Sequence, residues 1–260
     1  MEFECQKSAI EQLHQLAKSD KHSILISGVA GCGKSYLAAY YAKLLNISTY
    51  HKISPKVGDL KDMLENSYKL QDKQVICIEN LDSGVSAAAQ VILKYLEEPS
   101  PNVYVIVTCV NASTLPSTIL SRSISVKINQ PFFDDLSQFG NYLNSDKFKI
   151  LASSSIKSCM KSFTDVLKFL NLTQDQFQYY ETLKDSSFWL QPFDTLMWNL
   201  GHYPDNSKSD LSLVFRVIIE SYDISTTLFK SALSALLDLE NNKVSSNAIL
   251  GKFVFDIKGI

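Results

Sequence analysis

The segment Gly28-Val29-Ala30-Gly31-Cys32-Gly33-Lys34-Ser35 fits the pattern G-x-x-x-x-G-K-[ST] and constrains the fold more than any other stretch of the chain. The pattern works where a strand runs into a helix. Its glycines let consecutive backbone N–H groups curl around phosphate oxygens, and the helix N-terminus adds a favourable partial charge. Both flanks are present: Ser23–Ser27 is a short apolar run expected to be a buried strand, and Lys34 to Leu45 reads as a helix. Residues Gly28, Val29, Ala30, Gly31, Cys32, Gly33, Lys34, Ser35 and Tyr36 are therefore expected to hold a nucleotide, ATP or ADP with Mg²⁺. Lys34 supplies a point charge to the β- and γ-phosphates, and Ser35 offers its hydroxyl to the metal ion. The plain alternative is a glycine turn between strand and helix. Cys32 reads as a small loop residue, not a nucleophile.

Around this loop the chain alternates. Ile10, Leu13, Leu16 and Ala17 predict a helix over 3–18, Thr49 to Ile53 a strand, and Val57, Leu60, Met63 and Leu64 an amphipathic helix. Val75–Ile78, Val103–Thr108 and Ser125–Ile128 follow as strands, with a helix from Ser86 to Glu98 stopped by Pro99 and Pro101. The alternation predicts an α/β fold with a parallel sheet. After Pro131 only helical periodicity remains, through Phe139 to Leu143, Phe163 to Leu170 and Leu211 to Ile219. The turn formers from Gly201 to Ser207 predict a loop or a module boundary. Phe188, Trp189, Phe193, Met197 and Trp198 read as core, with a partner-binding stripe as the alternative.

With 260 residues, a formal net charge of −2 and a pI near 6.1, the chain is not a uniformly basic nucleic-acid binder. Any DNA contact is expected to be shared with partners and made to phosphates. Five widely spaced cysteines without a Cys-x-x-Cys pair indicate neither a zinc module nor a disulfide framework, and a reducing cytoplasm is expected. The amino terminus lacks the apolar core of a signal peptide, and the longest apolar runs have strand length, so no membrane partner is expected. His14, His22, His51 and His202 show no ligand spacing.

The second buried strand ends in Glu79-Asn80. In phosphate-loop ATPases such a strand ends in carboxylates that orient toward Mg²⁺ and polarise the attacking water. Glu79 can take the metal-side role, whereas the amide of Asn80 cannot accept a proton and at best orients water. Weak or absent hydrolysis is the expectation. The alternative is that Glu79 ends a strand, Asn80 starts a turn, and Asp82 acts instead.

The stretch from Gln74 to Ile128 resembles bacterial clamp-loader subunits of the delta-prime and gamma/tau kinds. The resemblance rests on the alanine-rich helix ending Leu96-Glu97-Glu98-Pro99, on Leu115-Pro116 to Ile119-Leu120, and on Ser121-Arg122-Ser123. It covers the first 70 residues more loosely and fades after Pro131. It implies an AAA+ phosphate-loop domain over 1–130, a small helical lid over 131–178, and an all-helical collar over 179–260 through which subunits assemble into a ring. It further implies that Arg122 is a finger presented in trans to a neighbour's γ-phosphate, a task suited to an always-charged, forked guanidinium. Implied partners are other clamp-loader subunits, a sliding clamp, and primer-template DNA through the assembly. The sequence departs from the family at several points. Ser123 replaces the family's cysteine, residues 46 to 73 lack the zinc-binding cysteines, and Thr164 stands where the lid commonly carries a sensing arginine. The polar residue expected after the third strand falls at Cys109 or Val110, with Thr108 one place early, and the chain is short for the family. A retained Arg122 with Asn80 and Thr164 replacing hydrolytic and sensing residues reads as a delta-prime-like clamp-loader subunit. The alternatives are an autonomous AAA+ ATPase, such as a gamma-like motor or a helicase loader, and a scaffold with a vestigial loop.

Overall fold

A computed structural model describes residues 3–19, 21–67, 72–83, 85–98, 100–153, 157, 159–202, 208–240 and 245–259. Five strands, β1 (Ser23–Ser27), β2 (Thr49–Ile53), β3 (Gln74–Ile78), β4 (Val103–Cys109) and β5 (Ile124–Lys127), form one sheet in the order β2-β3-β4-β1-β5. Every pairing is parallel, with Ile24 of β1 opposite both Ile106 of β4 and Ile124 of β5. The three inner strands, β3, β4 and β1, are buried along their whole length, which is why they read as continuous apolar runs. The edge strands β2 and β5 are only partly covered.

Helices α1 (Glu4–Leu16), α2 (Lys34–Leu44), α3 (Val57–Ser67), α4 (Val85–Glu97) and the short α5 (Ser117–Leu120) accompany the sheet. The two-residue period of the strands divides the core. Ile24, Ile26, Val75, Cys77 and Ile106 pack with Ile10 and Leu13 of α1 and Leu37 and Tyr41 of α2. Leu25, Ile76, Ile78, Val105 and Val107 pack with Leu60 and Leu64 of α3 and Ala88 and Ile92 of α4. The chain divides into two compact units, the first made of residues 1–136 and 162–164, the second of 137–161 and 165–260.

The second unit is helical, built on α6 (Phe133–Ser153) and α7 (Phe163–Asn171), whose first residues belong to the first unit, and on α8 (Gln174–Thr182), α9 (Phe193–His202), α10 (Lys208–Ser221), α11 (Thr227–Glu240) and α12 (Ser246–Lys258). Helix α6 breaks at Asn144, whose side chain accepts from Lys147 N at 3.1 Å and so restarts the helix. Helices α10 and α11, α11 and α12, and α12 and α9 pack in turn. Trp189 sits among them: its indole N–H donates to Leu183 O at 2.9 Å and to Tyr222 Oη at 3.0 Å, and its ring meets Phe253 edge-on. Phe188 and Trp189 are core, as their sequence suggests, but Trp198 is 56% exposed. The 3.6-residue period explains the difference, because Leu196 and Leu200 of α9 are the buried positions and Trp198 projects from the opposite side. Gly201 and His202 close α9 and are helical instead of looped, while Tyr203 to Ser207 lie outside the described residues. Among the described residues no helix is long and apolar enough to cross a membrane.

Candidate nucleotide site and a distant arginine

The loop after β1 curls at the C-terminal edge of the sheet, where open α/β sheets place their ligands. Gly28 N is held by Cys109 O at 3.2 Å, which ties the loop's entry to β4. Gly31 and Gly33 have φ of +74° and +97°, a backbone region that residues with a Cβ rarely enter. Close neighbours reinforce the requirement. A Cβ at Gly31 would stand 2.6 Å from Ser162 Oγ and 2.8 Å from Thr164 Oγ1, and one at Gly33 would collide with the Gln6 amide. Gln6 is buried on α1 and donates to Cys32 O at 2.9 Å, so a residue 22 or more positions upstream props the loop from behind. Phe163 N donates to Gly31 O at 3.1 Å, and the rings of Phe163 and Phe3 lie 4.6 Å apart.

Lys34, only 7% exposed, donates to Gly28 O at 2.8 Å and Val29 O at 3.0 Å. Among the described residues no carboxylate forms an ion pair with it. A buried cation met only by carbonyl oxygens, at the start of α2, is the electrostatic complement of a polyphosphate, and the residues present fit one. Burial pushes the Cys32 thiol up and away from reactivity. Tyr36 is exposed and stacks on Tyr40.

Ser35 Oγ donates to Glu79 Oε1, so the hydroxyl and carboxylate proposed for Mg²⁺ are brought together across 44 residues of sequence. The other oxygen of Glu79 pairs with Lys52 Nζ at 3.0 Å. Asn80 has φ of +49°, a conformation in which asparagine is enriched, and its N–H donates to Thr108 Oγ1 at 3.0 Å. The polar residue at the end of β4 is thus Thr108, which engages Asn80 directly. Asp82 is committed elsewhere: it accepts from Val110 N at 2.8 Å and Asn111 N at 3.2 Å and fastens the turn after β4.

Arg122 lies two residues before β5, at the N-terminal edge of the sheet, whereas the loop follows the C-terminal end of β1, the strand beside it. The five residues of β1 span about 17 Å, more than an arginine side chain can bridge. Arg122 pairs with Glu97 at 2.9 Å and donates to Thr118 O at 3.1 Å. It lines a groove of about 300 Å³ with Lys21, His22, Leu96, Ser121 and Ile124. Ser123 Oγ, beside it, is buried without a hydrogen-bond partner, and a cysteine there would leave no strong hydroxyl unmet. Four contributors to these sites escaped the sequence reading: Gln6, Lys52, Ser162 and Glu97. The Glu97-Glu98-Pro99 stretch was noticed only as a motif, and nothing local marks the other three.

Parts of the chain are similar to known proteins. Residues 52–132 match the family described as DNA polymerase III, delta subunit. The chain is 26% identical over 115 residues to DNA polymerase III subunit delta-prime of Haemophilus influenzae, covering 41% of this chain and 35% of the relative. It is 24% identical over 169 residues to DNA polymerase III subunit gamma of Buchnera aphidicola subsp. Schizaphis graminum, covering 50% and 47%. It therefore spans about a third to a half of the length of these curated relatives. The fold matches that of a DNA polymerase III gamma subunit-related protein of Thermotoga maritima with a TM-score of 0.63, at 14% identity, over 96% of this chain and 99% of that one. The chain is thus similar to DNA polymerase III clamp-loader subunits, and its fold is a parallel α/β domain with a helical extension.

Proposed function

We propose that the chain serves DNA replication as a clamp-loader subunit that holds ATP or ADP with Mg²⁺ and supplies Arg122 to a neighbouring subunit's nucleotide, with little or no hydrolysis of its own. The observation that carries this reading is the position of Arg122 at the sheet edge opposite its own phosphate loop. A guanidinium so placed has no path to the nucleotide of its own subunit, and its exposure suits a reach across a subunit boundary. Mg²⁺, when bound, would supply charge neutralisation at the phosphates. The backbone of Gly28 to Gly33 and the Lys34 ammonium would cradle the phosphates, Ser35 and Glu79 would stand on the metal side, and Asn80 would orient water without taking its proton. Residues 131–178 would act as the lid and 179–260 as the collar of a hetero-oligomeric ring. Sliding clamp and primer-template DNA would be met through that cytoplasmic assembly.

The test is to purify the chain with its co-purifying partners and compare the DNA-stimulated ATPase of assemblies carrying Arg122 or Arg122→Ala. A drop of tenfold or more is expected, an arginine finger at full effect supplying on the order of 10³ or above. Unchanged activity removes the finger assignment. The second reading, an autonomous ATPase, is favoured by the intact pairing of Ser35 with Glu79. It wins if the isolated chain turns over ATP at ~1 s⁻¹ or faster and Lys34→Ala abolishes that rate.

A further inference from the structure

Lys52 belongs to the edge strand β2, where it stands opposite Cys77 of β3. Alternate residues of a strand share a face, so Glu79, two places beyond Cys77, is the diagonal neighbour of Lys52, and the side chains meet at 3.0 Å. Glu79 is one-fifth exposed, so its side of the pair is screened less by solvent, while Lys52 is half exposed. With Ser35 on its other oxygen, the metal-side carboxylate has both oxygens engaged by groups of its own chain.

In a phosphate loop the carboxylate and the triphosphate repel each other, and a divalent ion ordinarily relieves that repulsion. Here an ammonium already stands on the carboxylate. An arriving Mg²⁺ relieves less repulsion than usual and meets a like charge as well. We propose that Lys52 takes over the charge-neutralising task of Mg²⁺ at Glu79, so that the loop holds a nucleoside diphosphate or triphosphate nearly as well without divalent metal as with it. This rests on the nucleotide-binding part of the function proposed above and names a residue that controls its metal dependence.

The full chain and its Lys52→Met and Lys52→Arg variants are titrated with a fluorescent ADP analogue, once in excess Mg²⁺ and once in EDTA. The readout is the ratio of the two dissociation constants. The wild type is expected to weaken by less than about threefold in EDTA, Lys52→Met by about tenfold or more, and Lys52→Arg, which keeps the charge, to stay near the wild type. Equal ratios in wild type and Lys52→Met, or a tenfold metal requirement in the wild type, overturn the inference while leaving nucleotide binding in place. Failure of every protein to bind in Mg²⁺ overturns the nucleotide reading and the inference with it.

Discussion

The phosphate loop and Arg122 occupy opposite edges of one sheet, and they are held in opposite ways. The loop is over-determined: two glycines at positive φ, a buried amide behind it, a backbone bond from Phe163, and a lysine folded into its centre. Arg122 is held by an exposed partner, Glu97, and by a carbonyl and a hydroxyl of its own turn. A surface ion pair of that kind is worth about 0.2–1 kcal/mol. The proposed roles fit this difference: a loop that receives a polyanion gains from being walled in, and a finger that reaches a neighbour gains from a weak tether.

The largest expected effect attacks the walled-in side. Lys34→Ala should weaken nucleotide binding by about 100-fold or more, roughly 3 kcal/mol, when measured by calorimetry, because no other described cation reaches the loop's centre. Retained affinity would mean that the backbone alone holds the phosphates. Next comes Gly31→Val, which forces a β-branched residue to φ +74° against Ser162 and Thr164. We expect a loss of about 2 kcal/mol in urea unfolding. Arg122→Ala should behave in the reverse manner, costing the isolated chain less than about 0.5 kcal/mol of stability while lowering the assembly's ATPase by about tenfold or more. A large stability loss would show that Arg122 is a structural brace. The smallest effect is a gain. Ser123→Cys removes a buried, unmet hydroxyl and should raise stability by about 1 kcal/mol, seen as a higher unfolding midpoint.

Much of the phosphate-loop half is legible because its signals are local. The apolar runs of β1, β3 and β4 mark buried parallel strands, and the glycine-rich segment between β1 and α2 states its own geometry. What escaped is contributed by distant segments. Nothing about Gln6 as a single helical residue says that its amide will lie under Cys32, and Lys52 declares its tie to Glu79 only once β2 and β3 are in register. Trp198 was misjudged for a related reason: an aromatic cluster in sequence was taken for a cluster in space, although α9 turns its leucines inward and this tryptophan out. Asp82, readable as a reserve carboxylate, is spent on two backbone amides that only the folded turn brings near.

The segment Ser162–Thr164 belongs to the first unit although 25 residues of the second separate it from Leu136. That interruption makes the first unit a poor candidate for excision. A fragment ending at residue 136 would leave Gly31 O without the Phe163 amide and strip the neighbouring ring from Phe3. Shuffling this module between proteins, or splitting it for reassembly from two polypeptides, would need the later tripeptide to travel with it.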